Sequence, residues 1–253
     1  MALYNIHFSP TGGTKKAADC LTRALGGGAV EIDLIRNREA LARTAFTAED
    51  LCVVAVPSFG GRVPSPAAAL LRGAHGAGAK AILIAVFGNR AIDDTLAELQ
   101  DILVSAGFAC LAGVEAAAQH SLMPQYGAGR PDADDEAQLA GFAARIREKL
   151  AQDSADAPQL PGSHEYRVYN GVPFRPLTSR KCTACGLCAR ECPADAIPPD
   201  APNTTDNAKC ISCMHCVAVC PQHARHYSRS LRLAVSRKMR AACSGRKENK
   251  LYL

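Results

Sequence analysis

Along the first 150 residues, apolar runs and mixed stretches alternate at a regular beat. Residues 2–8 form a strand-like run that stops at Ser9-Pro10-Thr11-Gly12-Gly13-Thr14. Residues 15–25 then place Ala17, Ala18, Leu21 and Leu25 on one face of a helix. A second strand is predicted over 29–34. A third, over 51–56, is apolar nearly throughout, as a parallel strand covered on both faces must be. A loop over 57–64 leads to a short helix over 65–71. The fourth strand spans 80–86 and exits through Phe87-Gly-Asn-Arg90, and 93–106 reads as an amphipathic helix. A fifth strand over 108–117 precedes a last helix, 134–150, capped by its aspartates. Five strands alternating with helices predict an α/β, doubly wound parallel sheet of order 2-1-3-4-5. Its ligand crevice belongs at the carboxyl ends of strands 1 and 3.

That beat ends near residue 152. Residues 153–176 read as a linker rich in Pro, Gly, Ser and Asp that turns aromatic at Tyr166, Tyr169 and Phe174. Cysteine then takes over. Cys182, Cys185, Cys188 and Cys192 are followed by Pro193, and the pattern repeats 28 positions on as Cys210, Cys213, Cys216 and Cys220 with Pro221. Each copy is the C-x2-C-x2-C-x3-C-P run that binds a [4Fe-4S] cubane, and its fourth cysteine goes to the other cluster. Cluster I would take Cys182, Cys185, Cys188 and Cys220; cluster II would take Cys210, Cys213, Cys216 and Cys192. C-x2-C is also zinc spacing, but zinc has no use for a third cysteine two residues on, twice over. The expected organisation is an α/β domain over 1–152, the linker, a small α+β two-cluster domain over 177–229 and a basic tail over 230–253.

Composition sharpens this picture. A chain of 253 residues has room for two modest domains. Eight of its twelve cysteines lie in the runs; Cys20, Cys52, Cys110 and Cys243 read as small buried hydrophobes. No 18-residue apolar run exists, so no membrane span is expected, and residues 1–8 lack the basic flank of a signal peptide. Free thiols and oxygen-labile clusters point to a reducing cytoplasm. Residues 1–160 hold 14 Lys/Arg against 18 Asp/Glu, and residues 161–253 hold 15 against 6. Two clusters of about −2 each offset much of the second excess. The tail carries seven Lys/Arg against Glu248 alone, with Leu231, Leu233, Val235 and Met239 suggesting a short helix. It reads as a segment that packs back and solvates its charges, rather than one that meets nucleic acid or an acidic partner. Arg180, Lys181, Arg190 and Lys209 border the cysteines, either to tune reduction potential or as a solvated face. His215 reads as a loop residue. No Ser/His/Asp order or paired carboxylate site suggests hydrolysis.

The first loop is built to seat a phosphate: glycines let the backbone approach, and hydroxyls and a helix N-terminus favour an anion. Neither G-x-x-x-x-G-K-[ST] nor G-x-G-x-x-G occurs, which argues against nucleoside triphosphates and dinucleotides. Ser9, Thr11, Gly12 and Thr14 resemble the flavodoxin phosphate loop, which holds FMN; Pro10 and Gly13 lie within it. That resemblance implies that Ser58, Phe59, Gly60 and Gly61, with Arg62 after them, and Phe87, Gly88, Asn89 and Arg90 flank the flavin ring. One departure stands out: the chain has no Trp, so only Phe59 and Phe87 are placed to stack on the ring, and both equally suit packing at strand ends. The cysteine runs resemble the bacterial two-cluster ferredoxins. The whole chain resembles the ferrodoxin family of flavodoxin–ferredoxin fusions, found mainly in anaerobes. Gly129-Arg-Pro-Asp132 adds to the likeness, whereas Ile92 stands where such fusions often carry an aromatic residue. The resemblance implies an electron carrier that exchanges electrons between FMN, two [4Fe-4S] clusters and redox protein partners. The alternatives are a flavin-dependent reductase of a small substrate or NAD(P)H, and a ferredoxin whose flavodoxin-like half only docks partners.

Overall fold

A computed structural model of the chain describes residues 1–152 and 156–253; residues 153–155, at the head of the expected linker, lie outside it. The strands predicted from continuous apolar runs are the inner strands of one sheet. β1 (Leu3–His7), β2 (Val30–Asp33), β3 (Leu51–Pro57), β4 (Lys80–Phe87) and β5 (Ala109–Ala117) lie parallel in the order β2-β1-β3-β4-β5. Parallel pairing requires crossovers, and helices supply them on both faces. α1 (Gly13–Leu25) and α5 (Ala133–Ala151) close one face, where Ala17, Leu21, Leu139 and Ile146 pack on Val53, Ala55, Ile82 and Ile84. α2 (Ala40–Arg43), α3 (Ser65–Arg72) and α4 (Thr95–Ser105) close the other, with Leu41, Ala67 and Leu96 on Ile6, Val54 and Leu83. The architecture is flavodoxin-like. Asp132 caps α5 as expected, its side chain accepting from the Asp135 amide while Asp135 bonds back to the Asp132 amide.

Two features have no counterpart in the sequence pattern. One is the single-turn α2. The other is a sixth strand: β8 (Lys250–Tyr252), at the chain's end, pairs antiparallel with β5. It is reached through the helix α8 (Arg229–Cys243), longer than the suggested short one, whose Leu233 faces outward at 56% exposure.

A network of polar side chains binds this return. Arg130 pairs with Asp135 and donates to the Lys247 carbonyl; Asn249 joins Asp135 to the Ala117 amide; Arg246 reaches Asp132 and Asp135. Burial alone would raise the Asp135 carboxyl, but Arg130 and the other donors around it hold it below the ordinary range.

The cysteine-rich part is small. β6 (Leu177–Thr178) pairs with β7 (Arg225–His226), and α6 (Leu187–Arg190) and α7 (His215–Ala218) are single turns. Its apolar content cannot make a large core. A second cluster therefore joins it to the rest: Phe174, 2% exposed, packs with Leu122, Met123 and Met214, and its ring meets Tyr227 edge-on at 6.0 Å. Burying a side chain of this size stabilises by about 1.5–3 kcal/mol.

Candidate cofactor sites

The 28-residue repeat of the sequence is a repeat of backbone conformation. Ala184 and Ser212, Gly186 and Met214, and Asp195 and His223 all have positive φ, each pair 28 positions apart. Non-glycine residues adopt that region at a cost, so the turns are imposed by what they surround. They carry the chain around two cavities. One is lined by Cys182, Cys185, Cys188 and Cys220, the other by Cys192, Cys210, Cys213 and Cys216. Each cavity is about 340 Å³, its open side included. Each thus takes three cysteines from one run and the last from the other. Backbone amides point at sulfur: Ala184 N–H to Cys182, Ala196 N–H to Cys192 and Ala224 N–H to Cys220, at 3.3–3.4 Å. Among the described residues, no three Cys, His, Asp or Glu side chains close to the spacing of one metal ion. The thiols stand around a volume instead, as a cube of iron and sulfide requires. The two sites differ in access: Cys185 is exposed and Cys182 and Cys188 half-buried, whereas Cys192, Cys213 and Cys216 are each 8% exposed. Burial pushes the Cys213 and Cys216 thiols up to about 12, so filling that site means expelling protons.

A third, larger cavity of about 1080 Å³, open mouth included, lies at the carboxyl ends of β1, β3, β4 and β5. Pro10, Thr11, Gly13 and Thr14 line it from the first loop, Ser58, Phe59 and Gly60 from the second, and Gly88 and Arg90 from the third. Gly12, in the left-handed region at φ +90°, turns the chain into α1, and Ser9 accepts from the Lys15 amide. The amides of Gly13 and Thr14 have no acceptor among the described residues. Those amides, at a helix N-terminus, fit an anion. Gly88 is required because His120 backs onto it: a Cβ there would lie 2.9 Å from the His120 Cα.

The remaining sequence-predicted residues stand off the cavity wall. Gly61 packs against Asp93 and Arg167, and Phe87 is buried in the sheet's core. Asn89, at φ 61°, donates to the carbonyls of Cys243 and Gly245, where the chain returns from α8.

Much of the cavity is walled by residues that sequence reasoning missed. Tyr169, from the segment between the two parts, packs its ring over Gly60, where any Cβ would overlap it at 2.1 Å. Its location among aromatics after a Pro/Gly-rich stretch was the available signal. Val172, Phe174, Val235 and Met239 add an apolar side, and Ile211, Ser212 and Cys213 bring in the second cysteine run. His120 also lines the cavity; burial, then the Arg90 charge, hold its imidazole down at about 4. It accepts at Nδ1 from the Leu122 amide, which leaves the ring proton on Nε2. His215 ties the parts together: its Nδ1 lies 2.8 Å from the Pro10 carbonyl in the first loop, and its Nε2 2.9 Å from Glu191.

Residues 181–225 match the 4Fe-4S dicluster domain family. The chain is 36% identical over 76 residues to a subunit of the ion-translocating oxidoreductase complex of Methanosarcina acetivorans. That match covers 30% of this chain and 27% of the relative, so the chain spans little more than a quarter of that protein. A flavodoxin from Streptococcus pneumoniae TIGR4 is similar in structure at a TM-score of 0.42 and 19% identity, covering 60% of this chain and all of the other. Among the described residues no helix is long and apolar enough to cross a membrane. One chain thus joins a flavodoxin-like α/β fold to an iron–sulfur domain of the 4Fe-4S dicluster type.

Proposed function

We propose that the protein is an electron carrier that holds FMN in the large cavity and a [4Fe-4S] cluster in each four-cysteine cavity. FMN exchanges one or two electrons and each cubane one, so the three together suit conversion between pair and single-electron delivery. The observation that carries this reading is a shared wall: Ile211 and Cys213 line both the large cavity and the buried cysteine cavity. The three sites therefore form a series, from the large cavity to the buried thiols to the exposed ones, with a redox protein partner met at the exposed end. Gly12, Gly13 and Thr14 would hold the phosphate, and Phe59 and Tyr169 would bound the ring. Cys182, Cys185, Cys188 and Cys220 would hold the outer cluster, and Cys210, Cys213, Cys216 and Cys192 the inner.

Anaerobic purification with cofactor analysis tests this. About eight irons and one FMN per chain are expected, with a broad brown absorbance under the flavin bands. Iron in full measure with no flavin bound, even after FMN is added, would leave a ferredoxin-type carrier and remove the flavin from the proposal.

A further inference from the structure

The two cysteine cavities are copies of one backbone, yet one position breaks the likeness. Ala196 and Ala224, 28 positions apart, take the same place in the two sites, each donating its amide to the cysteine four residues before it. The next residue is Ile197 in the inner cavity and Arg225 in the outer. Both are 3% exposed. A buried guanidinium normally demands a carboxylate. Among the described residues Arg225 has none: its N–H groups go to Thr205 Oγ1 at 2.8 Å, to the Thr204 carbonyl at 2.8 Å and to the Pro202 carbonyl, and its Nη2 lies 3.8 Å from Cys188 Sγ. Its Nε–H is buried with no acceptor among the described residues.

A full positive charge, walled in neutral acceptors and one thiol, is missing its counter-ion. The cluster that the outer cavity's cysteines would hold carries about −2, and more when reduced. We infer that Arg225 is the buried counter-charge of the outer cluster, and that it sets that cluster's reduction potential above the inner one's. This rests on the cysteine assignment proposed above. The physical reason is simple. Each added electron makes the cluster more negative, and a fixed cation at short range in a low dielectric favours the more negative form. Ile197 brings the inner cluster no charge of its own. The Arg225 charge reaches Cys216 through space, but its N–H contact is with Cys188 of the outer site, and burial of Cys192, Cys213 and Cys216 disfavours added charge in the inner site as well. The step from the inner cluster to the outer is therefore downhill, and the outer cluster is where an electron waits for its acceptor. Sequence reading singled out Arg180, Lys181, Arg190 and Lys209 instead, all exposed, where water screens them.

The test is a redox titration of the anaerobic holoprotein, with the shifted cysteine β-methylene proton resonances reporting each cluster separately. Arg225→Ile copies the inner site. It should lower the outer cluster's reduced-to-oxidised ratio at fixed potential at least ten-fold, about 59 mV for a one-electron couple, and move the inner cluster less. Arg225→Lys keeps the charge and should hold most of the wild-type potential. Full iron content in Arg225→Ile with both potentials unmoved would overturn the inference. If Arg225→Ile does not load its outer cluster, Arg225→Lys decides: a loaded cluster near the wild-type potential supports the counter-charge, and an unloaded or strongly lowered one overturns it. Iron missing from the wild type itself would instead overturn the cysteine assignment.

Discussion

His120 shows how a single residue couples the large cavity to pH. The ring is pressed between Gly88 and the cavity, near Arg90, and it titrates at about 4 in the folded chain. An unfolded histidine takes its proton near 6.5. Because the folded value is depressed, the unfolded state binds the proton first, and stability is lost as pH falls from about 6.5 toward 4. Between pH 7 and 5 the loss from this residue is about 2 kcal/mol. His120→Gln should therefore lose less stability than wild type over that interval, as read from urea midpoints at the two pH values. Equal losses would show that the imidazole meets water freely. Nothing in the sequence marks His120, one of seven histidines, as half-buried near a charge; only the return of residues after β5 across Gly88 does that. Arg225 was hidden for the same reason. It reads as one more basic residue near cysteines until β7 turns it inward.

Elements whose sequence alone decides their burial were legible. β3 and, after Lys80, β4 are apolar runs, and only the middle of a doubly covered parallel sheet accommodates them. The 28-residue cysteine repeat was equally plain, because ligand spacing is local chemistry. β8 was not legible. Three residues, Lys250, Leu251 and Tyr252, carry no period, and the strand exists because other groups receive it. Asn249 accepts from the buried Ala117 amide and donates to Asp135 and Gln138, which fixes the register that sets Leu251 opposite Val114. Asn249→Ala leaves a buried donor unpaired, at a cost of about 1–3 kcal/mol. The expected signature is faster amide exchange along β5 and β8 with the rest of the sheet unchanged. Uniform protection across all six strands in the variant would mean that β8 holds its place without Asn249.

At the scale of the whole molecule, the large cavity belongs to neither half. The sheet's loops make its floor, while Tyr169, Phe174, Ile211–Cys213 and two residues of α8 make its other walls. Away from the apolar cluster around Phe174, the seam between the halves is polar: His215 on the Pro10 carbonyl, Arg36 near Glu191 at 3.4 Å and Arg38 with Asp195 at 3.0 Å. The two arginine pairs reach solvent and are each worth about 0–1 kcal/mol, so they help to locate the second half without holding its shape. That shape depends on what the cysteines bind, since a segment with so small a core folds around its metal centre. Losing the clusters should then loosen Ile211 to His215 and, through them, one wall of the cavity. Stripping iron anaerobically with a chelator is expected to weaken binding of the FMN proposed for the large cavity about ten-fold, or 1.4 kcal/mol, followed by flavin fluorescence. Rebuilding the clusters should restore it. An unchanged dissociation constant would mean that the loops after β1, β3 and β4 form the whole site, and that the cysteine-rich half merely leans against it.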